Sequence, residues 1–171
     1  MESKIRKDIE VKSTDPTISA FLRSTKHRAS WLGLIYDEGR KDGQEELIKK
    51  YLWDATYRYG QIVGNALKAR LTVEPTDCSE FMTAFGVDTQ NGAALKAKVT
   101  QRSADKADLE YHGCALLSAW VDLGLDDSAC QALCRIAMNQ DTAIADVLGL
   151  KFDLIETLAD GADCCKCSYH R

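Results

Sequence analysis

Residues 95–114 read LKAKVTQRSADKADLEYHGC. Over the first six positions Leu95, Ala97 and Val99 alternate with Lys96, Lys98 and Thr100, the two-residue period of a strand with one apolar face. After the polar stretch 102–106, the run Asp108 to His112 can return beside it, so the segment predicts an antiparallel hairpin. Helical spacing resumes from Cys114 through Leu123. It returns from about Asp127 to Val147, where Cys130, Leu133, Cys134, Ala137, Asp141 and Ile144 fall on one side. A second hairpin closes the chain: Leu150, Phe152 and Leu154 alternate with Lys151 and Asp153, Asp160-Gly161 supplies turn chemistry, and 163–170 runs back as a strand.

Upstream of the first hairpin the period is helical. Asp15 caps, Pro16 takes the first helical position, and Ile18, Phe21, Leu22, Ala29, Leu32 and Ile35 recur at helical spacing, with Gly39 as the expected stop. A second helix is expected to start at Asp42, with Glu45 completing a capping box, and to carry an apolar stripe from Leu47 to Leu67. A short helix is expected from about Asp77 to Phe85, stopped by Gly86, and Asn91-Gly92 marks the change of period. The fold class predicted is therefore α+β: an N-terminal helical pair followed by β-β-α-α-β-β, with an antiparallel sheet of about four strands covered by helices on one face. No Pro/Gly/Ser-rich linker interrupts the sequence. One domain, 1–171, is expected, with a helical region at 15–86 and the chemistry in the α+β region at 92–170.

Composition narrows the functions. Lys and Arg number 22 against 26 Asp and Glu, for a net charge of −4, which gives no electrostatic footprint for nucleic acid. Apolar runs fall well short of the roughly 20 residues that cross a bilayer. The segment from Met1 to Lys12 is rich in charge and has no apolar core of a secretory signal, so a cytoplasmic location without membrane attachment is expected. Neither dinucleotide nor P-loop fingerprints follow any strand. Seven cysteines is an odd number, and in a reducing compartment such residues are buried, metal-binding or catalytic more often than paired.

Cys114 stands where a predicted strand turns into a helix. Free backbone N–H groups and the positive end of the helix dipole would favour its thiolate there, while His112, two residues earlier, could supply a proton or a ligand. The bland alternative is a buried small cysteine beside a surface histidine. Cys134 and Asp141 are seven residues apart, two helical turns, and share a face; the plainer reading makes Asp141 the cap of a new helix starting at Thr142. On the last strand Cys165, Cys167 and Tyr169 share one side, and Cys164, Lys166 and His170 the other. Cys165 or Cys167 facing Cys114 and Cys134 would make a thiol cluster able to hold zinc or another soft metal, although the spacings match no familiar metal motif. Trp31, Trp53, Tyr51, Tyr57 and Tyr59 read as core or helix contacts, Cys78 and Cys130 as core, and His27 as solvated.

Taken together the C-terminal third resembles the L-2-amino-thiazoline-4-carboxylic acid hydrolase family. The resemblance rests on Tyr111-His112-Gly113-Cys114 leading into Trp120-Val121-Asp122-Leu123-Gly124-Leu125, then Leu133-Cys134-Arg135-Ile136-Ala137 with Asp141, then 152–158 and Gly161-Ala162-Asp163-Cys164-Cys165. It covers roughly 108–169 and departs from the family pattern at Ala115, where a proline is common, and at Cys167, where an aromatic is expected. The resemblance implies a hydrolase that adds water to the C2 carbon of a small cyclic amidine and releases N-carbamoyl-cysteine from the named substrate. In that reading Cys114 is the nucleophile, Asp141 binds the amidinium or moves protons, His112 is an optional base, Cys134 and Cys165 line the pocket, and no cofactor is required. An alternative makes Cys114, Cys134 and Cys165 ligands of zinc or iron. A second keeps the fold as a non-catalytic sensor of a small molecule or metal, and a third is a homodimer paired through the 42–71 helix.

Overall fold

The structure, a computed structural model, describes residues 3–5, 7–73 and 76–171, so Met1, Glu2 and Arg6 of the charged opening segment lie outside the described residues. Helix α1 spans Pro16–Lys41, and the Asp15 side chain accepts from the N–H groups of Thr17 at 2.8 Å and Ile18 at 2.9 Å, as its sequence requires. Gly39 does not stop it. A Cβ built there would lie 2.8 Å from Ile48 Cγ2, so this glycine lets the next helix approach closely. Helix α2 is Glu45–Lys68. Asp42 caps the C-terminus of α1 instead of opening α2. Glu45 is drawn away from capping by the Tyr36 hydroxyl, which donates to it at 2.6 Å, and by Lys49 at 2.9 Å. Helix α3, Cys78–Phe85, has the expected Asp77 cap and a left-handed Gly86, φ 86°. A five-residue helix α4, Gln90–Ala94, occupies the point where the period changes.

The remaining elements are β1 Ala97–Arg102, β2 Lys106–Tyr111, α5 Ala115–Asp122, α6 Asp127–Leu148, β3 Lys151–Glu156, a 3-10 turn Leu158–Asp160 and β4 Cys165–His170. All strand pairs are antiparallel in the order β1-β2-β4-β3, so the last strand is the second central one. Register brings Ala107 opposite Tyr169, Leu109 opposite Cys167 and Tyr111 opposite Cys165, with Phe152 and Leu154 flanking Tyr169 and Cys167 from β3. These side chains form one apolar face, covered by helices. The fold is α+β, a helical pair followed by a helix-covered antiparallel sheet.

Of three packed clusters among the described residues, the smallest gathers Val11, Leu22, Ala94 and Ala115, and the two larger ones lie under the helices. One centres on Trp120, whose indole N–H donates to Ala29 O at 2.9 Å, with Tyr36, Leu117, Cys130 and Leu133 around it. The other centres on Tyr169, in ring contact with Phe81 at 4.9 Å and Phe152 at 4.8 Å, together with Cys78, Leu109 and Ile144. Helix α6 serves both clusters and runs unbroken through Asp141, which removes that residue's alternative role as a helix cap. Helix α2 lies against α6 at Gly60 and Gly64, where built Cβ atoms would come 2.3 Å from Gln140 O and 2.9 Å from Val147 Cβ. Because small residues make the closest contacts, the aromatics are left largely in the open: Trp31, Tyr51, Trp53 and Tyr59 are 45–63% exposed, so none is core, although Trp53 still borders α6. Tyr57 is half-buried and donates to Asp146 at 2.6 Å.

Candidate functional site

The site is built from the junction of β2 with α5, the inner face of β4 and one side of α6. Cys114 is the N-cap of α5, with extended backbone (φ −144°, ψ 107°), and its sulfur accepts from the Leu117 N–H at 3.4 Å. The segment before α1 covers this junction: Ile9 O accepts from Cys114 N–H at 3.1 Å, and a Cβ on Gly113 would lie within 2.2 Å of Val11 Cγ2. Cover decides the electrostatics. Two backbone N–H groups, of Leu117 and Leu116, favour the thiolate, but burial outweighs them and the Cys114 thiol sits above its ordinary range. The lowering expected from a helix N-terminus is therefore overturned by desolvation.

Cys114, Cys134 and Cys165 pack together against the Trp120 cluster. Cys165 Sγ accepts from the Leu158 N–H at 3.4 Å, yet burial, with Cys114 and Cys164 nearby, pushes its thiol to about 12. Burial followed by the neighbouring Cys114 and Cys165 holds the Cys134 thiol still further up. All three are neutral thiols, and Cys114 and Cys165 lie near enough to Cys134 to add to its rise.

Asp141 lies two turns along α6, about 10 Å by helix rise. Its Oδ1 accepts from the Tyr169 hydroxyl at 2.7 Å. Burial pushes this carboxyl up to about 6, against the opposing pull of the tyrosine bond and of Arg28 on α1. Tyr111 links the two ends: burial raises its phenol well above the ordinary value, and Cys167, Asp141 and Cys165 all contribute to its field. The inner face thus carries neutral thiols at one end and, at the other, a carboxyl that titrates at about 6.

His112 has a different partner. Its Nε2 lies 3.2 Å from Glu110 Oε2, and strand alternation puts that pair on the side opposite Tyr111. Among the described residues, Glu110, His112 and Cys164 have donor atoms mutually within 4.8 Å, whereas Cys114, Cys134 and Cys165 do not form such a set. A surface cavity of about 460 Å³ lies between α2 and α6, lined by Trp53, Arg135 and Ile136 among others, away from these thiols.

Sequence reasoning did not single out Tyr111, Tyr169 or Arg28 as site residues. The two tyrosines carried a usable signal, since each alternates in phase with the inward cysteines of its strand or its neighbour. Arg28 carried none, being brought in by helix packing.

What fold and site define is a small α+β protein with a thiol-rich, carboxyl-bearing face held between a central strand and a helix. The chain belongs to the L-2-amino-thiazoline-4-carboxylic acid hydrolase family, whose sequence profile matches residues 23–169 and so takes in the helical half as well as the α+β region. No curated protein matches it. Among the described residues no helix is long and apolar enough to cross a membrane.

Proposed function

We propose that the protein hydrolyses a small cyclic amidine of the 2-aminothiazoline-4-carboxylate type, with Cys114 as nucleophile and Asp141 as amidinium-binding and proton-transfer group. The observation that carries this reading is the placement of Cys114, Cys134 and Cys165 on the same covered face as a carboxyl poised at about 6. Above that pH Asp141 is ionised and matches an amidinium, which offers two parallel N–H donors. Arrival of the cation also favours ionisation of Cys114, which is neutral in the free protein.

The Cys114 sulfur bonds to C2, and its proton passes by way of the bound amidine and bridging water to Asp141 at the other end of the face. The ring C2–S bond breaks, and the departing sulfur takes that proton, leaving the amidine carbon joined to Cys114. Water adds to that carbon, losing a proton to Asp141, and collapse expels Cys114, which is reprotonated; one water has been added and a urea formed. The Leu116 and Leu117 N–H groups at the start of α5 stabilise Cys114 as it gains charge. Cys134 and Cys165 would flank the ring beside Cys114 once the covering segment before α1 makes room for it, and the reading requires no cofactor.

One observation favours a second reading, a non-catalytic small-molecule-binding domain: all seven thiols are held above their ordinary range, so none is a standing thiolate. Turnover of L-2-amino-thiazoline-4-carboxylate, followed by release of the product thiol, separates the two. The hydrolase reading expects turnover by the native chain, abolished in Cys114→Ser and reduced about 100-fold or more in Asp141→Asn. Saturable binding without turnover supports the second reading and contradicts the first.

A further inference from the structure

On the outer side of the sheet, away from the thiol face, the ends of β2 and β4 bring three different donors together. Glu110 lies in β2 and His112 just past its last residue, Tyr111, and the two side chains meet there. Tyr111, the last residue of β2, pairs with Cys165, the first of β4, so His112 and Cys164 both lie just beyond the end of that ladder. The Glu110 oxygen, the His112 nitrogen and the Cys164 sulfur all lie within 4.8 Å of one another, and the oxygen–nitrogen separation is 3.2 Å. Two such ligands on one tetrahedral zinc ion, each about 2.0–2.1 Å from the metal, stand about 3.3 Å apart. That edge is already formed.

We propose that Glu110, His112 and Cys164 bind a zinc-type divalent ion, with the fourth coordination position open to solvent. Thiolate, imidazole and carboxylate form the mixed soft and borderline set that suits zinc over calcium or magnesium, which take oxygen ligands. Cys164 is 5% exposed, so the sulfur is fixed by packing, while the imidazole side is 44% exposed and leaves room for a water or a small anion. The free protein keeps Cys164 as a thiol, because burial and the neighbouring Glu110 raise it, so metal binding releases a proton. Lys98, 3.8 Å from the same Glu110 oxygen, is two-thirds exposed and free to swing aside. Lys166 is engaged by Glu156 at 2.9 Å. The site is separate from the proposed hydrolytic face and stands whether or not the chain hydrolyses amidines.

Cobalt(II) titration of the reduced full chain tests it, because thiolate ligation gives a sulfur-to-cobalt charge-transfer band and tetrahedral ligation gives intense visible bands. One cobalt per chain is expected, displaced by zinc. Cys164→Ser should lose the charge-transfer band, and His112→Ala should weaken binding by about 100-fold or more. His112 is exposed, so that variant keeps the test valid even if Cys164→Ser folds poorly. Cys134→Ser and Cys165→Ser should leave the spectrum unchanged. Absence of the band in the native chain overturns the proposal, and so does a band that survives Cys164→Ser but disappears in Cys134→Ser or Cys165→Ser.

Discussion

Replacing Asp141 by asparagine should stabilise the protein, and only where the native carboxyl is ionised. An asparagine Oδ1 accepts the same Tyr169 hydroxyl bond that the carboxylate now takes at 2.7 Å, and its volume is nearly the same. What changes is the charge. The folded-state pKa of about 6 stands above the ordinary aspartate value of 3.8, so between those values the folded chain binds more protons than the unfolded one. Stability therefore falls as pH rises through that window, and the deficit is complete above about pH 6. At about 1.4 kcal/mol per unit the shift amounts to about 3 kcal/mol, an upper figure because a partly accessible carboxylate retains some solvation. Asp141→Asn should raise the melting temperature at pH 8 by up to about 6–12 °C for a chain of this size, and should leave it unchanged near pH 4. Paired thermal or urea melts of both proteins from pH 4 to 8 read the difference directly, cancelling every other titrating group. A variant equally or less stable than the native chain at pH 8, or a difference independent of pH, would refute the reasoning about Asp141.

Tyr169→Phe removes the donor that lowers the Asp141 pKa, so it should cost about 1.5–3 kcal/mol at pH 8 and much less near pH 4, measured by the same melts. Gly60→Ala should destabilise by about 3 kcal/mol in urea unfolding, because the new Cβ meets a backbone carbonyl oxygen at 2.3 Å; a loss below about 0.5 kcal/mol would show that α2 and α6 are not held so closely. Iodoacetamide labelling of Cys114 in the free protein should be slow at pH 7 and rise about tenfold per pH unit from pH 7 to 9, since burial holds the thiol neutral. Fast, pH-independent labelling between pH 6 and 8 would mean a standing thiolate.

Periods in the sequence carried much of this structure. The alternation at 95–112 and 150–170 placed the strands, and the seven-residue interval between Cys134 and Asp141 placed both along one helix face because helix geometry is local. The strand parity of Cys165 against Cys164 likewise follows from a period of two. What depends on distant chain did not show. The order β1-β2-β4-β3 had to form before Tyr111 met Cys165, and the outward trio of Glu110, His112 and Cys164 depends on that same pairing across more than fifty residues. The sign of the Cys114 shift turned on cover by Ile9 and Val11, residues read at first only as part of a charged opening segment. The aromatic stripe of α1 and α2 was misplaced because glycines and alanines, with little hydrophobic signal of their own, took the close helix contacts.

The central claim is that Cys114 attacks the amidine carbon. Mixing the native protein with L-2-amino-thiazoline-4-carboxylate, quenching in acid at short times, and mapping modified peptides by mass spectrometry tests it most directly. The account predicts a transient adduct of substrate mass on Cys114 that decays as N-carbamoyl-cysteine appears, and none on Cys134 or Cys165. Hydrolysis that proceeds undiminished in Cys114→Ser, or an adduct confined to another cysteine, would contradict it.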